Sequence, residues 1–130
     1  MNTKENKYIV TWEEFDGLCT DLSNQILGSE LFKDMKNIYA IPRGGLIIAV
    51  RLSHLLDLPL CFTYHEWKKT ETLVVDDVSD TGEALSRFKD FKIATLHRKD
   101  GTKTEPDFCV KTINQWIVYP WEKGGVEDGS

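Results

Sequence analysis

Cysteine is scarce in this 130-residue chain: Cys19, Cys61 and Cys109 are three in number, far apart and never in a CxxC pair. That excludes a disulfide framework and a thiolate metal site, and leaves three small apolar side chains suited to burial. Basic residues are outnumbered, with 16 Lys and Arg against 21 Asp and Glu, for a net charge of −5. Such a balance repels a nucleic-acid backbone, so any anionic ligand must be held locally. Histidine is also rare, and His54, His65 and His97 show no metal-ligand spacing. No apolar run is long enough to cross a bilayer, and the polar start MNTKENKYIV lacks the apolar stretch of a signal peptide, which places the chain in the cytoplasm by default. Repeats and low-complexity segments are missing too. With 41% hydrophobic and 28% charged residues, the expectation is one domain over residues 1–123 and a disordered tail over 124–130.

What is present alternates between strand and helix patterns. TWEEFDGLCTDLSNQILG begins with Thr11 and has Glu14 three places on, a capping-box spacing. Trp12, Phe15, Leu18, Cys19, Leu22, Ile26 and Leu27 then share one helical face that ends near Gly28. NIYAI predicts a buried strand, PRGG a break, and LIIAVRLSHLL a core helix. LPLCFTY and TLVV predict strands, GEALSRFKDF a short helix and KIATLH another strand. This order implies an α/β fold with a mainly parallel sheet flanked by helices. DFCVKTINQWIVYPWEK has no helix after it and is expected to fold over the end of the sheet as a small flap, at about 107–123.

Ligands of open parallel sheets bind beyond the carboxyl ends of the strands, where two interruptions fall. In PRGG, the amides around Gly44 and Gly45 and the guanidinium of Arg43 offer donors to an anion; a plain turn with a solvated arginine fits equally well. In TLVVDDVSDTGEAL, the turn from Val78 through Ser79, Asp80, Thr81 and Gly82 offers hydroxyls and amides to a monophosphate. A donor-only phosphate loop needs no acids. Asp76 and Asp77 instead suit ribose hydroxyls and a divalent cation that bridges sugar and phosphate oxygens, which points to a sugar phosphate with Mg²⁺.

LVVDDVSDTGEAL resembles the phosphoribosyl pyrophosphate (PRPP) signature of the type I phosphoribosyltransferases. NKYIVTWEEF, AIPRGGLIIA and QWIVYPWE are similar, in order, to segments of the bacterial xanthine-guanine phosphoribosyltransferases, and together these cover most of the chain from Lys7 to Glu122. The resemblance implies the type I phosphoribosyltransferase fold and purine salvage. The 5-phosphoribosyl group of PRPP, the co-substrate, passes to a 6-oxopurine (guanine, xanthine or hypoxanthine), giving the nucleotide, such as GMP, and pyrophosphate. It assigns Asp76 and Asp77 to ribose and metal, Ser79 through Gly82 to the 5-phosphate, Asp80 to the purine N7 proton, and Arg43 with Gly44 and Gly45 to pyrophosphate. Lys99 would meet the purine O6, Trp116 would stack on the base and Ile117 would meet its edge. Without the resemblance, a solvated lysine and a core tryptophan fit the same residues. The resemblance also implies a homodimer or homotetramer, while the net charge and the lack of a long apolar run leave no expectation of a nucleic-acid or membrane partner.

One departure stands out. Members of this family carry a long mobile loop before the PRPP strand, whereas this chain has only TYHEWKKTET. Thr63 and Tyr64 resemble the start of that loop, and Lys68 and Lys69 could touch pyrophosphate, but the segment is short for a lid and equally suits a hairpin. A chain that keeps the phosphate loops without the lid could instead serve as a PRPP or nucleotide sensor.

Overall fold

Thr11 caps the first helix as its spacing predicts: its side-chain oxygen accepts the Glu14 amide at 3.0 Å, satisfying one of the free N–H groups of the first turn. The Glu14 carboxylate does not complete a capping box. It takes the Tyr8 hydroxyl, which ties helix α1 (Trp12–Leu27) to the preceding strand β1 (Lys7–Ile9). In this computed structural model, which describes residues 7–124, α1 buries Phe15, Leu18, Cys19, Leu22 and Ile26. Trp12 and Leu27, at its two ends, stay about half exposed. The expectation of a disordered tail falls on 125–130 and so lies outside the described residues, apart from Gly124.

The main sheet is parallel throughout. It contains β2 (Asn37–Ala40), β3 (Leu60–Cys61), β4 (Thr72–Ser79), β5 (Lys92–Arg98) and β6 (Phe108–Thr112), in the order β3-β2-β4-β5-β6. Helix α2 (Gly44–Leu56) connects β2 to β3 and packs beside α1. Alternation along the strands sends Ile38, Leu73, Val75, Ala94 and Leu96 into one large core with both helices. Val74 and Ile93 face the other way, into a smaller cluster with Leu85, Phe88 and Phe91. The α/β architecture read from the sequence is the one observed.

Three elements differ from expectation. The strand predicted over LPLCFTY is only two residues long. The helix predicted over GEALSRFKDF is replaced by turns with one 3₁₀ turn at Ser86–Phe88. A parallel crossover must return the length of the strand, about 20 Å here, whereas ten helical residues rise only about 15 Å. The buried residues Leu85, Phe88 and Phe91 recur every third position, which matches the 3₁₀ period better than the α period. The C-terminal flap is also divided: Phe108–Thr112 joins the main sheet beside β5, and only β7 (Trp116–Val118) leaves it, to pair in parallel with β1.

Candidate functional site

The strand order reverses between β2 and β4: the chain leaves β2 for β3 on one side, then re-enters as β4 on the other. At such a switch point the loops beyond the carboxyl ends part and leave a crevice. Here the crevice is a cleft of about 680 Å³ lined by Arg43, Gly44, Asp77, Trp121 and Glu122, among others. Arg43 and Gly44 from the loop after β2 and Asp77 from β4 meet in this cleft, whereas residues 78–82 border a separate hollow.

The loop after β2 is packed tightly. The Pro42–Arg43 peptide is cis, although proline lies on its amino side. A Cβ on Gly45 would lie 2.4 Å from the Val75 carbonyl oxygen, and one on Gly44 would lie 2.1 Å from Oδ2 of Asp77. Both glycines let α2 start against the end of β4. They are not equivalent, however. The Gly45 amide donates to the Ile41 carbonyl at 2.9 Å and the residue is buried, so its role is packing. Gly44 and Arg43 border the cleft itself.

Asp76 closes the continuously buried run Thr72–Asp76 of β4; Asp77 and Val78 are half-buried, and the strand runs on to the buried Ser79, beyond the stretch TLVV expected from the sequence. Oδ1 of Asp76 accepts the Asp77 amide at 2.8 Å, and Oδ1 of Asp77 accepts the Val78 amide at 2.7 Å. Burial first, then the charge of Asp77, pushes the Asp76 carboxyl up to about 8; burial also raises Asp77. Among the described residues no lysine or arginine pairs with either acid, and the ion pairs lie elsewhere. This uncompensated acidity fits a divalent cation and ribose hydroxyls. No group of three or more His, Cys, Asp or Glu among the described residues forms a complete metal cage, so ligand oxygens would have to supply the rest of the coordination.

The loop after β4 departs from expectation. The Ser79 hydroxyl is buried, bonded to the Thr102 hydroxyl and to the Thr104 carbonyl, both at 2.7 Å, so it faces the protein. Gly82 has φ +91° and sits on the same segment, where a Cβ would lie 2.6 Å from the Thr104 amide. Val78, Ser79, Asp80, Thr81 and Gly82 all border one small hollow of about 70 Å³, although the Ser79 hydroxyl is engaged behind it. No α-helix stands behind it. The support given by Thr102 and Thr104 was missed in the sequence, although the alternation in GTKT was its signal.

A second hollow, of about 100 Å³, brings together Asp77, Asp80, Lys99, Trp116, Ile117 and Glu122. Trp116 is 63% exposed, which places its indole at the hollow rather than in the core. The Lys99 ammonium donates to the carbonyls of Gln115 and Ile113, so the end of β5 and the turn before β7 are joined by this side chain. Glu122, which had no assigned role, borders both this hollow and the cleft and accepts the Tyr119 amide at 2.8 Å.

Lys68 and Lys69 are not at this site. Thr72 pairs with Asn37, the first residue of β2, so residues 68–71 lie at the amino ends of the strands, opposite the cleft. Lys68 covers the Trp67 ring at 4.8 Å, and Tyr64 packs its ring between Tyr39 and Phe88. Residues 62–71 contain a 3₁₀ turn at Glu66–Lys68 rather than a hairpin, and within them Tyr64 packs against the smaller core cluster while Phe62 and Trp67 stay exposed.

Fold and cleft together define an α/β protein with a cleft at the switch point of its parallel sheet, bordered by Arg43, Gly44 and Asp77. No family model matches the sequence. A purine phosphoribosyltransferase from Pyrococcus horikoshii superimposes with a TM-score of 0.75 at 32% identity, over 91% of this chain and 95% of that one. The xanthine-guanine phosphoribosyltransferase of Desulfotalea psychrophila is 26% identical over 88% of this chain and 86% of its own length. A Helicobacter pylori xanthine-guanine-hypoxanthine phosphoribosyltransferase has the same fold, with a TM-score of 0.76 at 22% identity, over 91% of this chain and 95% of that one. The chain belongs to the purine phosphoribosyltransferases of type I fold.

Proposed function

We propose that the protein transfers the 5-phosphoribosyl group of PRPP to a 6-oxopurine with Mg²⁺ bound. The observation that carries this reading is the convergence of Asp80, Lys99, Trp116 and Ile117 on one hollow adjoining Asp77. A protein that bound PRPP alone would have no use for a purine pocket beside its ribose acids.

In this reading Asp76 and Asp77 hold the ribose hydroxyls and the cation, which supplies charge neutralisation for pyrophosphate. Thr81 and the amides of 80–82 take the 5-phosphate, while Ser79 shapes the turn from behind. Arg43 and the backbone at Gly44 face the leaving pyrophosphate and stabilise charge building there. Trp116 stacks on the purine, and Lys99, with two of its three donors on carbonyls, keeps the third for O6; an amino group at that position cannot accept it. As the bond from C1′ to the pyrophosphate oxygen breaks and the bond to N9 forms, Asp80 accepts the proton leaving N7.

A second reading, a PRPP or nucleotide sensor, is favoured by one observation: the segment before β4 is short, is anchored through Tyr64 on the smaller core cluster and brings neither lysine to the cleft. A product assay separates the two. Purified protein is given PRPP and Mg²⁺ with guanine, xanthine, hypoxanthine or adenine, with a magnesium-free control, and nucleotide and pyrophosphate are quantified. Magnesium-dependent nucleotide from oxo-purines and none from adenine is the expected result; saturable PRPP binding without product from any base identifies the sensor. Trp116→Ala is expected to weaken purine or nucleotide binding by about 1–3 kcal/mol and to leave PRPP affinity intact, as read by calorimetry.

A further inference from the structure

His97 and Tyr119 form a buried polar pair that the transfer reaction does not use. His97 is fully buried on β5, and its Nε2 has no hydrogen-bond partner among the described residues. Its Nδ1 lies 2.8 Å from the Tyr119 hydroxyl, which in turn lies 3.1 Å from the backbone carbonyl of Asp77. Tyr119 is also bonded through its amide to Glu122 and stacked on Trp121 at 5.0 Å. One side chain thus reaches from the C-terminal strap to the ribose end of β4.

A phenol has one proton and here faces two acceptors. If that proton goes to His97 Nδ1, then Nε2 carries hydrogen and becomes an orphaned buried donor, and Asp77 loses the Tyr119 bond. If it goes to the Asp77 carbonyl, Nδ1–H donates to the tyrosine oxygen and Nε2 keeps only a lone pair. Buried orphan donors are rarer than under-used acceptors, which selects the second arrangement. Burial, followed by the charges of Lys111 and Lys99, pushes His97 down to about 4, so the ring is neutral as either tautomer requires.

We propose that His97, as the Nδ1–H tautomer, aims the Tyr119 hydroxyl at the Asp77 carbonyl, and that the pair are positioning residues that hold the ribose acid against the C-terminal strap. The proposal rests on the transferase reading for its effect on PRPP, whereas the hydrogen-bond direction stands apart from it. The purine wall is held separately, because Ile117 pairs with Tyr8 and Lys99 grips Gln115. Tyr119 itself borders the purine hollow, so it is loss of the hydroxyl alone, with the ring kept in place, that loosens the Asp77 side and spares the purine side.

The test has two arms. Side-chain nitrogen NMR of the ligand-free protein is expected to show a protonated Nδ1 and a bare Nε2 on His97; a proton on Nε2 overturns the proposal. In the second arm, Tyr119→Phe is expected to raise the KM for PRPP about tenfold per folded molecule while the purine KM stays within about twofold, the scale of one lost hydrogen bond. His97→Leu should match it, and His97→Asn, whose amide nitrogen stands in for Nδ1, should recover most of the loss. An unchanged PRPP KM, or equal rises in both constants, overturns the proposal. A wild-type protein that forms no nucleotide overturns the transferase reading alone, and the tautomer then decides the pair.

Discussion

The loops that follow β2 and β4 are built on opposite principles. The loop after β2 opens a 13-residue helix, so partial positive charge at the helix start lies behind Arg43 and Gly44. The loop after β4 opens only turns, and its geometry comes from side contacts with Thr102 and Thr104. One loop is set by a neighbouring secondary structure, the other by a distant turn. The difference shows that a loop at a strand end can keep its shape without a helix at its back, provided another segment takes its hydrogen bonds.

The largest effect should come from the loop after β4. Asp80→Asn is expected to lower turnover about 10²-fold with PRPP affinity retained, as read by steady-state kinetics and calorimetry. Unchanged turnover would remove this loop from the chemistry and leave it a purely binding element.

Gly45→Ala sharpens the contrast from the other side. Its new methyl meets the Val75 carbonyl, which belongs to β4 and cannot swing away, so unfolding free energy should fall by about 1–3 kcal/mol in a denaturant titration. Gly44→Ala meets a carboxylate that can rotate; it should cost less stability and weaken PRPP binding more. Reversed results would show that both glycines serve packing alone.

The smallest effect concerns the acids between the loops. Asp76 is raised to about 8 in the folded chain, whereas an unfolded aspartate titrates near 3.9. The folded state therefore holds a proton that the unfolded state has released, and the stability it contributes is present at low pH and lost as pH rises through about 8. His97 works the other way. With its folded value lowered to about 4, its contribution is present above the unfolded value of about 6.5 and lost on acidification, so the window above pH 6.5 isolates the acid. From there to pH 8 the ligand-free protein should lose Tm. Asp76→Asn should flatten that slope and gain roughly 1 kcal/mol at pH 8 while losing PRPP binding. A parallel slope in the variant would locate the proton elsewhere.

Much of this was legible along the chain because it depends on neighbours in sequence. The Thr11 cap, the period of α1, the alternation within β4 and the adjacent acids Asp76 and Asp77 are all local patterns. The helix expected after the PRPP motif failed because a crossover must match the length of its strands, a constraint no local window contains. The two lysines failed for a similar reason. Their charge suited pyrophosphate, but the register of β4 against β2 puts them at the other end of the sheet.

By itself the sequence determined the class of fold, the place of the acids in the last half of a strand and the glycines at the start of α2, since periodicity and residue chemistry are written into adjacent positions. Only the tertiary structure decided that Ser79 faces inward, that Trp116 stands exposed beside Lys99, and that His97 reaches Asp77 through Tyr119. Those contacts join residues far apart in the chain, and strand order and register, which bring them within bonding distance, follow from packing the whole chain around its cores.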